Sequence, residues 1–185
     1  TGVGKTTVLV DIIKYLRKNR KIVVRKPVET GCELVDGYFV PKDAVRLNEA
    51  CSSEEDLEAI CPFCLELEAS PEEASLHSGG LLELDDLVKA CRLNTGDSFV
   101  FVEGAGGFFS PIANKALNSD LVERLGLPVI IVVRDELGAV TQALLTINAA
   151  KSQQLKIACV ILNEIEPNQL SNAEALRAYT KAPII

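Results

Sequence analysis

The chain begins with Thr1-Gly2-Val3-Gly4-Lys5-Thr6-Thr7, which is most of a phosphate-binding loop. Glycine lets backbone N–H groups turn towards phosphate oxygens, the Lys5 ammonium attracts the outer phosphates, and the Thr6 hydroxyl suits Mg²⁺. A helical apolar pattern follows at once, and the N-terminus of a helix adds its dipole and its free amides to an anion site. The stretch therefore predicts a nucleotide-phosphate site, and an ordinary glycine-rich turn is the alternative.

The length and the loop together bound the domain organisation. The chain has 185 residues, of which 48% are hydrophobic, which suits one domain with a buried core. The full loop pattern also contains an earlier glycine and a preceding strand. We expect residues 1–185 to be a single P-loop α/β domain without its first strand and its C-terminal segment, and the native chain to be longer at both ends.

Charge and hydropathy argue against several classes of partner. The formal net charge is −7, and no basic stripe follows residue 26, so nucleic acid is not the expected partner. No apolar run approaches the roughly 20 residues that span a bilayer, and no signal peptide is visible, so no membrane association is predicted. Six cysteines at irregular spacing indicate reduced thiols and a cytoplasmic protein.

One pair of cysteines, in Cys61-Pro62-Phe63-Cys64, leaves two interpretations open. A zinc site or a redox function is one, although a structural zinc site needs a second pair of ligands nearby. Packing of two thiols as small hydrophobic side chains is the favoured one. His77 lies in a stretch rich in serine and glycine, and it is predicted to be a solvated loop residue rather than a catalyst.

Strand and helix patterns alternate along the chain. Continuous β-branched runs, which predict strands covered on both faces, are 22–26, 99–102, 129–133 and 157–162, with a further strand beginning at 183–185. The predicted helices are Lys5–Asn19, Leu84–Arg92, Ser119–Leu125, Leu137–Lys151 and Asn168–Tyr179. Residues 31–80 are acidic, and one or two helices with irregular loops are expected there. The alternation predicts an α/β fold of the P-loop NTPase type, a doubly wound, mostly parallel sheet with helices on both faces in three layers.

Chemistry in such a fold is expected beyond the carboxyl ends of the strands. Lys26 ends the first visible strand and would suit negative charge that builds up on phosphate and carboxylate oxygens. Glu103 ends the next strand before three glycines within four residues, and its carboxylate would suit Mg²⁺. Asn163 fits the edge of a purine but is also a common turn residue. Asp43 is interpreted as a helix cap or a first-turn acid.

These pieces together resemble the dethiobiotin synthetase family. The resemblance covers essentially the whole chain and rests on Thr-Gly-Val-Gly-Lys-Thr at 1–6, Lys-Pro-Val-Glu-Thr-Gly at 26–31, Val-Glu-Gly-Ala-Gly-Gly at 102–107, Leu-Pro-Val-Ile-Ile-Val-Val at 127–133 followed by Leu137-Gly138, and Asn163. It implies a cytoplasmic ligase of biotin biosynthesis. The enzyme joins 7,8-diaminononanoate, CO₂ (bicarbonate) and ATP into dethiobiotin, ADP and phosphate through a carbamate that attacks the γ-phosphate.

The resemblance also implies roles for residues. Lys5 and Lys26 would be catalytic, and Thr6, Asp43 and Glu103 would hold Mg²⁺, which turns Asp43 from a probable cap into a metal ligand. ATP would be bound by Gly2, Val3, Gly4, Lys5, Thr6, Thr7, Glu103, Gly106 and Asn163. The substrate would be bound by Thr1, Gly2, Lys26 and Thr30, and by Leu137 and Gly138, which would meet the substrate carboxylate across the interface of a homodimer.

Two rival readings belong to other classes. One is a deviant P-loop ATPase that switches dimers, but its signature needs glycine where Thr1 stands and leaves Lys26-Pro27-Val28 unexplained. The other is an amide ligase of the cobyrinate type, which usually carries an additional glutamine-hydrolysing domain.

Overall fold

The computed structural model describes residues 2–52 and 55–185. The helices are α1 (Lys5–Leu16), α2 (Lys42–Cys51), α3 (Leu57–Ile60), α4 (Pro71–His77), α5 (Leu84–Arg92), α6 (Asn118–Leu125), α7 (Ala139–Ser152) and α8 (Asn172–Arg177). The strands are β1 (Ile22–Arg25), β2 (Val28–Thr30), β3 (Glu33–Val35), β4 (Tyr38–Val40), β5 (Phe63–Leu65), β6 (Phe99–Val102), β7 (Pro111–Ala113), β8 (Ala116–Leu117), β9 (Val129–Arg134) and β10 (Ile157–Asn163). Strands alternate with helices, and three strand pairs are parallel, which confirms the predicted α/β class.

The chain divides into two compact units, residues 9–121 and residues 1–8 with 122–185. In the unit formed by 9–121, β1 pairs with β6 in parallel, and the register sets Arg25 opposite Val102. Every residue of β1 is buried, as its continuous apolar run predicted. Ile13, Leu47 and Ile60, which are fully buried, pack with β1 in one core. The pairing therefore brings the carboxyl ends of β1 and β6 side by side.

In the other unit, β9 and β10 are parallel, and Asn163 lies opposite Arg134 at their carboxyl ends. Ile131, Ile147 and Val160 belong to the core of this unit. The strand expected at 183–185 is present as a parallel bridge between Val160 and Ile184. In the described part of the chain, no helix combines the length and the apolar character that crossing a bilayer requires.

Several predicted boundaries are wrong by a few residues. The helix expected over Lys5–Asn19 ends at Leu16, and the one expected from Leu137 begins at Ala139, because Gly138 has a left-handed φ of 98°. The helix expected over Asn168–Tyr179 is confined to Asn172–Arg177. The helix at Leu84–Arg92 is confirmed.

Residues 31–80 contain more regular structure than expected. Three helices (α2, α3 and α4) lie there among the described residues, together with the antiparallel hairpin of β3 and β4. Asp36 and Gly37 form its turn with φ values of 51° and 86°, the conformation that tight hairpins require. His77 is exposed as predicted, but it ends α4 and does not lie in a loop.

Candidate active site

A buried lysine lies between two carboxylates at the ends of β1 and β6. Lys26 Nζ is 2.8 Å from Glu103 Oε1 and 3.3 Å from Asp43 Oδ2. The same Nζ lies 3.4 Å from the Gly104 carbonyl oxygen. The backbone extends the β1–β6 ladder here, since the Glu103 N–H donates to the Arg25 carbonyl at 2.8 Å. Three residues that sequence reasoning named separately therefore meet in one cluster.

The electrostatics of this cluster keep the lysine charged. Burial alone would lower the pKa of Lys26, but the attraction of Glu103, Asp43 and Glu29 outweighs it and raises the pKa above its ordinary value. Lys26 is only 4% exposed. A protonated ammonium in a site shielded from water stabilises added negative charge more strongly than it would at the surface.

Glu29 holds the start of α2 and was missed by sequence reasoning. Its carboxylate accepts hydrogen bonds from the backbone N–H groups of Asp43 (2.8 Å) and Ala44 (3.1 Å). The residue at the N-cap of α2 is Pro41, whose side chain provides no cap. Glu29 therefore replaces the missing cap from β2 and fixes the first turn that carries Asp43. In the sequence, Glu29 was visible only as one letter of Lys-Pro-Val-Glu-Thr-Gly.

Asp43 lies in the first turn of α2, which fits its interpretation as a first-turn acid. The N-cap position itself is occupied by Pro41. The Asp43 carboxylate also contacts Lys26. The helical position thus brings the acid to the cluster, and the metal role of Asp43 stays a prediction.

Asn118 shapes the glycine-rich loop that follows Glu103. Its amide nitrogen donates to the carbonyl oxygens of Ala105 (2.6 Å), Gly107 (2.9 Å) and Ser110 (3.3 Å). A Cβ placed on Gly104 would meet Asn118 Oδ1 at 2.2 Å, so only glycine fits there. The Asn118 contacts are tertiary, and no local sequence signal marked this residue.

Gly106, which was predicted to contact the nucleotide, lies in a turn that packs against the side chain of Ser110. It has a φ of 82°, and a Cβ on it would meet Ser110 Oγ at 2.6 Å. Ser110 Oγ also accepts the Gly107 N–H at 2.8 Å. These contacts fix the backbone of the loop at the end of β6.

The phosphate loop opens α1, as predicted. Gly2 and Gly4 have left-handed φ values of 75° and 83°, and α1 begins at Lys5, with Thr6 and Thr7 in its first turn. Turns of this kind direct backbone N–H groups towards an anion. The predicted contact of Thr1 lies outside the described residues.

Asn163 contacts the phosphate loop within the same unit. Its Nδ2 donates to the Val3 carbonyl oxygen at 2.9 Å, and a Cβ on Gly4 would meet this nitrogen at 2.3 Å. The end of β10 therefore packs directly on the loop. The predicted role of Asn163 at adenine is untested, and the structure adds that one of its amide hydrogens is already used.

The remaining predicted residues lie at other positions of the two units. Thr30 is half-buried on β2 opposite Leu65. Leu137 is 90% exposed, immediately before Gly138 and the start of α7. Among residues 2–52 and 55–185, no group of three or more His, Cys, Asp and Glu side chains is arranged to hold a metal ion.

A phosphate loop at the start of a helix, in an α/β fold with charged strand ends, defines a P-loop nucleotide-binding protein, and the model of an AAA domain matches residues 1–185. The chain is 49% identical over 184 residues to the ATP-dependent dethiobiotin synthetase BioD of Ruthia magnifica subsp. Calyptogena magnifica. That alignment covers 100% of this chain and 85% of the relative. The chain belongs to the dethiobiotin synthetase family, and the predicted resemblance is confirmed.

Other relatives carry the same name. The protein of Vesicomyosocius okutanii subsp. Calyptogena okutanii is 49% identical over 185 residues, covering 100% of this chain and 84% of its own length. That of Aromatoleum aromaticum is 35% identical over 192 residues, with the same coverage of 100% and 84%. Neither rival class, the ATPase switch or the cobyrinate-type ligase, is favoured by these relatives.

Proposed function

We propose that this chain is an ATP-dependent ligase that converts 7,8-diaminononanoate and CO₂ into dethiobiotin, with release of ADP and phosphate. The observation that carries the proposal is similarity along all 185 residues of this chain, at 49% identity, to proteins named ATP-dependent dethiobiotin synthetase. The phosphate loop and the buried lysine give this chain the groups that such a reaction needs. No strong protein nucleophile is required, because an amine captures CO₂ and the resulting carbamate attacks ATP.

Lys26 would steady the negative charge of the reaction. The carbamate and the transferring phosphoryl group are both anionic, and Lys26 remains protonated beside Glu103 and Asp43. Its ammonium is held in place by Glu103 and Asp43, so little reorganisation is needed as charge develops. Lys5, at the start of α1, would contact the phosphates of ATP in the same way.

The donor set at the cluster fits Mg²⁺. Asp43 and Glu103 would supply carboxylate oxygens, and oxygen ligands of this kind are those that Mg²⁺ prefers. The role proposed for the Thr6 hydroxyl rests on the resemblance of the phosphate loop alone. Mg²⁺ would neutralise the phosphate oxygens of ATP when bound. Glu29 fixes the backbone at Asp43, and the β1–β6 ladder fixes the backbone at Glu103, which supports this proposal.

By resemblance alone, Thr1, Gly2 and Thr30 are the residues proposed to bind the diamine. Its carboxylate would meet the backbone N–H groups at the start of α7, next to Leu137 and Gly138 of a second copy of the chain. Leu137 is 90% exposed, which fits a residue that acts on a partner in a homodimer. The predicted cytoplasmic location remains a prediction.

The test is ATP-dependent fixation of labelled bicarbonate onto 7,8-diaminononanoate. We expect label in dethiobiotin and one ADP released per ring closed, dependent on the diamine and on Mg²⁺. Lys26→Ala should lower both signals by at least about a hundredfold. Lys42→Ala, which removes a surface lysine that pairs with Glu33, is the matched control. ADP release that does not depend on the diamine would contradict the ligase assignment and favour an ATPase switch.

A further inference from the structure

Cys61 and Cys64 form a pair of thiols beside the lysine cluster. Cys61 follows α3, and Cys64 is the central residue of β5. Their sulfur atoms lie 3.9 Å apart, within reach of a sulfur hydrogen bond. Both cysteines are reduced, so the pair is a dithiol that needs only a small movement to close, because a disulfide bond is about 2.05 Å long.

The two sulfurs differ in accessibility and in charge. Cys61 is 2% exposed, whereas Cys64 is half-buried. The hydrogen bond with the Cys61 thiol lowers the pKa of Cys64, and the same contact, together with burial, raises the pKa of Cys61. Because Cys64 is the more exposed residue of the pair, we expect it to react first with a reagent in solution, and Cys61 lies within reach to resolve the product.

The other half-buried or buried thiols are less reactive. Burial raises the pKa of Cys51 to about 11 and the pKa of Cys91 to about 12. It also raises the pKa of Cys32 to about 12 and raises the pKa of Cys159. These groups stay protonated at neutral pH, and the thiolate, not the thiol, is the nucleophile. Reaction with an oxidant should therefore begin at Cys64.

Hydrogen bonds connect the dithiol to the candidate active site on both sides. The Ile60 carbonyl oxygen, one residue before Cys61, accepts the Lys26 N–H at 2.9 Å. In the β2–β5 pair, Cys64 lies opposite Glu29, and Leu65 lies opposite Thr30. Closing a bond between the sulfurs would therefore pull on the segment that holds the backbone of Lys26 and on the strand that pairs with Glu29.

We propose that Cys61 and Cys64 form a reversible disulfide with a low-molecular-weight disulfide such as oxidised glutathione, and that this bond slows the reaction at Lys26. The Cys64 thiolate attacks one sulfur of oxidised glutathione, forming a mixed disulfide and releasing one glutathione thiolate. Cys61 gives up its proton and attacks Cys64 Sγ, releasing the second glutathione. The protein loses two electrons and two protons, which appear in two molecules of reduced glutathione.

The bond can be mapped without any assay of activity. The intact protein is treated with oxidised glutathione, free thiols are blocked, and a glutamate-specific protease is used to release the peptide 59–66, which contains no other cysteine. Chymotrypsin then cuts after Phe63, between the two cysteines. We expect the two halves to stay joined until a reductant is added. Halves that separate without reductant, or Cys64 joined to Cys32, would overturn the proposal.

Single variants identify the order of attack. In Cys61→Ser, Cys64 should retain a glutathione adduct, because no resolving thiol remains. In Cys64→Ser, the peptide 59–66 should carry no adduct, because Cys61 is buried. Cys51→Ser is the matched control, since Cys51 is also partly buried, and it should form the bond normally. An adduct on Cys61 in Cys64→Ser contradicts the assigned order.

The effect on turnover rests on the proposed function and is measured separately. In the oxidised protein, the rate of diamine-dependent ADP release should fall about tenfold, as expected from a small displacement of a positioned group. Dithiothreitol should restore the rate. Cys64→Ser should keep its activity in oxidised glutathione. If protein that carries the mapped disulfide is fully active, the proposed effect of the bond on the reaction at Lys26 is wrong. If the reduced protein shows no diamine-dependent ADP release, the proposed function fails while the mapping stands.

Discussion

Lys26 and Glu103 form a buried ion pair across the ends of β1 and β6, with Nζ 2.8 Å from Oε1 and side chains that are 5% and 4% exposed. The two residues are 77 positions apart in sequence, and the parallel register of β1 and β6 alone brings them together. Removing one partner of such a pair leaves the other charge buried, which is why the pair governs stability as well as chemistry.

Lys26→Ala should lower kcat by at least about a hundredfold, because the positive charge at the transferring groups is lost. It should also lower the free energy of unfolding by about 3 kcal/mol, since Glu103 is left buried without its lysine. Diamine-dependent ADP release and urea unfolding measure the two effects. Lys42→Ala removes a lysine whose side chain is 62% exposed and should change neither by much. An unchanged kcat in Lys26→Ala would remove this lysine from the site.

Asp43→Asn should raise the Mg²⁺ concentration needed for half-maximal ADP release, because a neutral amide is a weaker ligand than a carboxylate. Titration of Mg²⁺ at saturating ATP gives the value. Asp86→Asn is the control: Asp86 is also a first-turn acid, on α5, and it pairs with Lys89 at the surface. If both variants show the same Mg²⁺ dependence as the parent, Asp43 is a first-turn acid and no more.

The part of the site that lies on strands could be predicted from the sequence. Lys26 and Glu103 follow continuous apolar runs, and the carboxyl ends of two paired parallel strands lie side by side, so their proximity followed from the α/β pattern. Asp43 could be placed on a helix but not beside Lys26, since a helix start carries no information about its tertiary neighbour.

The supports of the site could not be predicted. Glu29 reaches the start of α2 from 14 residues away, and Asn118 reaches Ala105 from 13 residues away. Neither contact leaves a periodic pattern or a capping motif in the sequence, because each side chain binds backbone groups of a different segment. The helices of residues 31–80 were also underestimated, since short amphipathic segments rely on tertiary packing more than on propensity.

Glu29→Gln should change how stability depends on pH. Burial raises the pKa of Glu29 above its ordinary value of 4.5, in spite of the hydrogen bonds from Asp43 and Ala44 that oppose it. The folded state therefore binds a proton at Glu29 more readily than the unfolded state does. As the pH falls from the raised pKa towards 4.5, the free energy of unfolding of the parent protein should rise relative to that of Glu29→Gln.

Urea unfolding of both proteins from about pH 7 to about pH 4 measures this difference. Glu49→Gln, an exposed glutamate on α2, should give a curve parallel to that of the parent. A constant difference between the parent and Glu29→Gln across the range would show that the buried carboxylate does not take up a proton on folding.

Gly104→Ala should destabilise the glycine-rich loop by steric conflict alone. Its Cβ would lie 2.2 Å from Asn118 Oδ1, and Asn118 is held by three carbonyl oxygens and cannot turn away without releasing them. Overpacking of this kind lowers the free energy of unfolding by about 1–3 kcal/mol. Because Lys26 Nζ lies 3.4 Å from the Gly104 carbonyl oxygen, kcat should fall as well. Gly80→Ala is the matched control, since its Cβ would meet Ser75 O at an ordinary 3.9 Å. Thermal unfolding and ADP release should separate the two variants; equal Tm and kcat would mean that Asn118 moves freely and does not shape the loop.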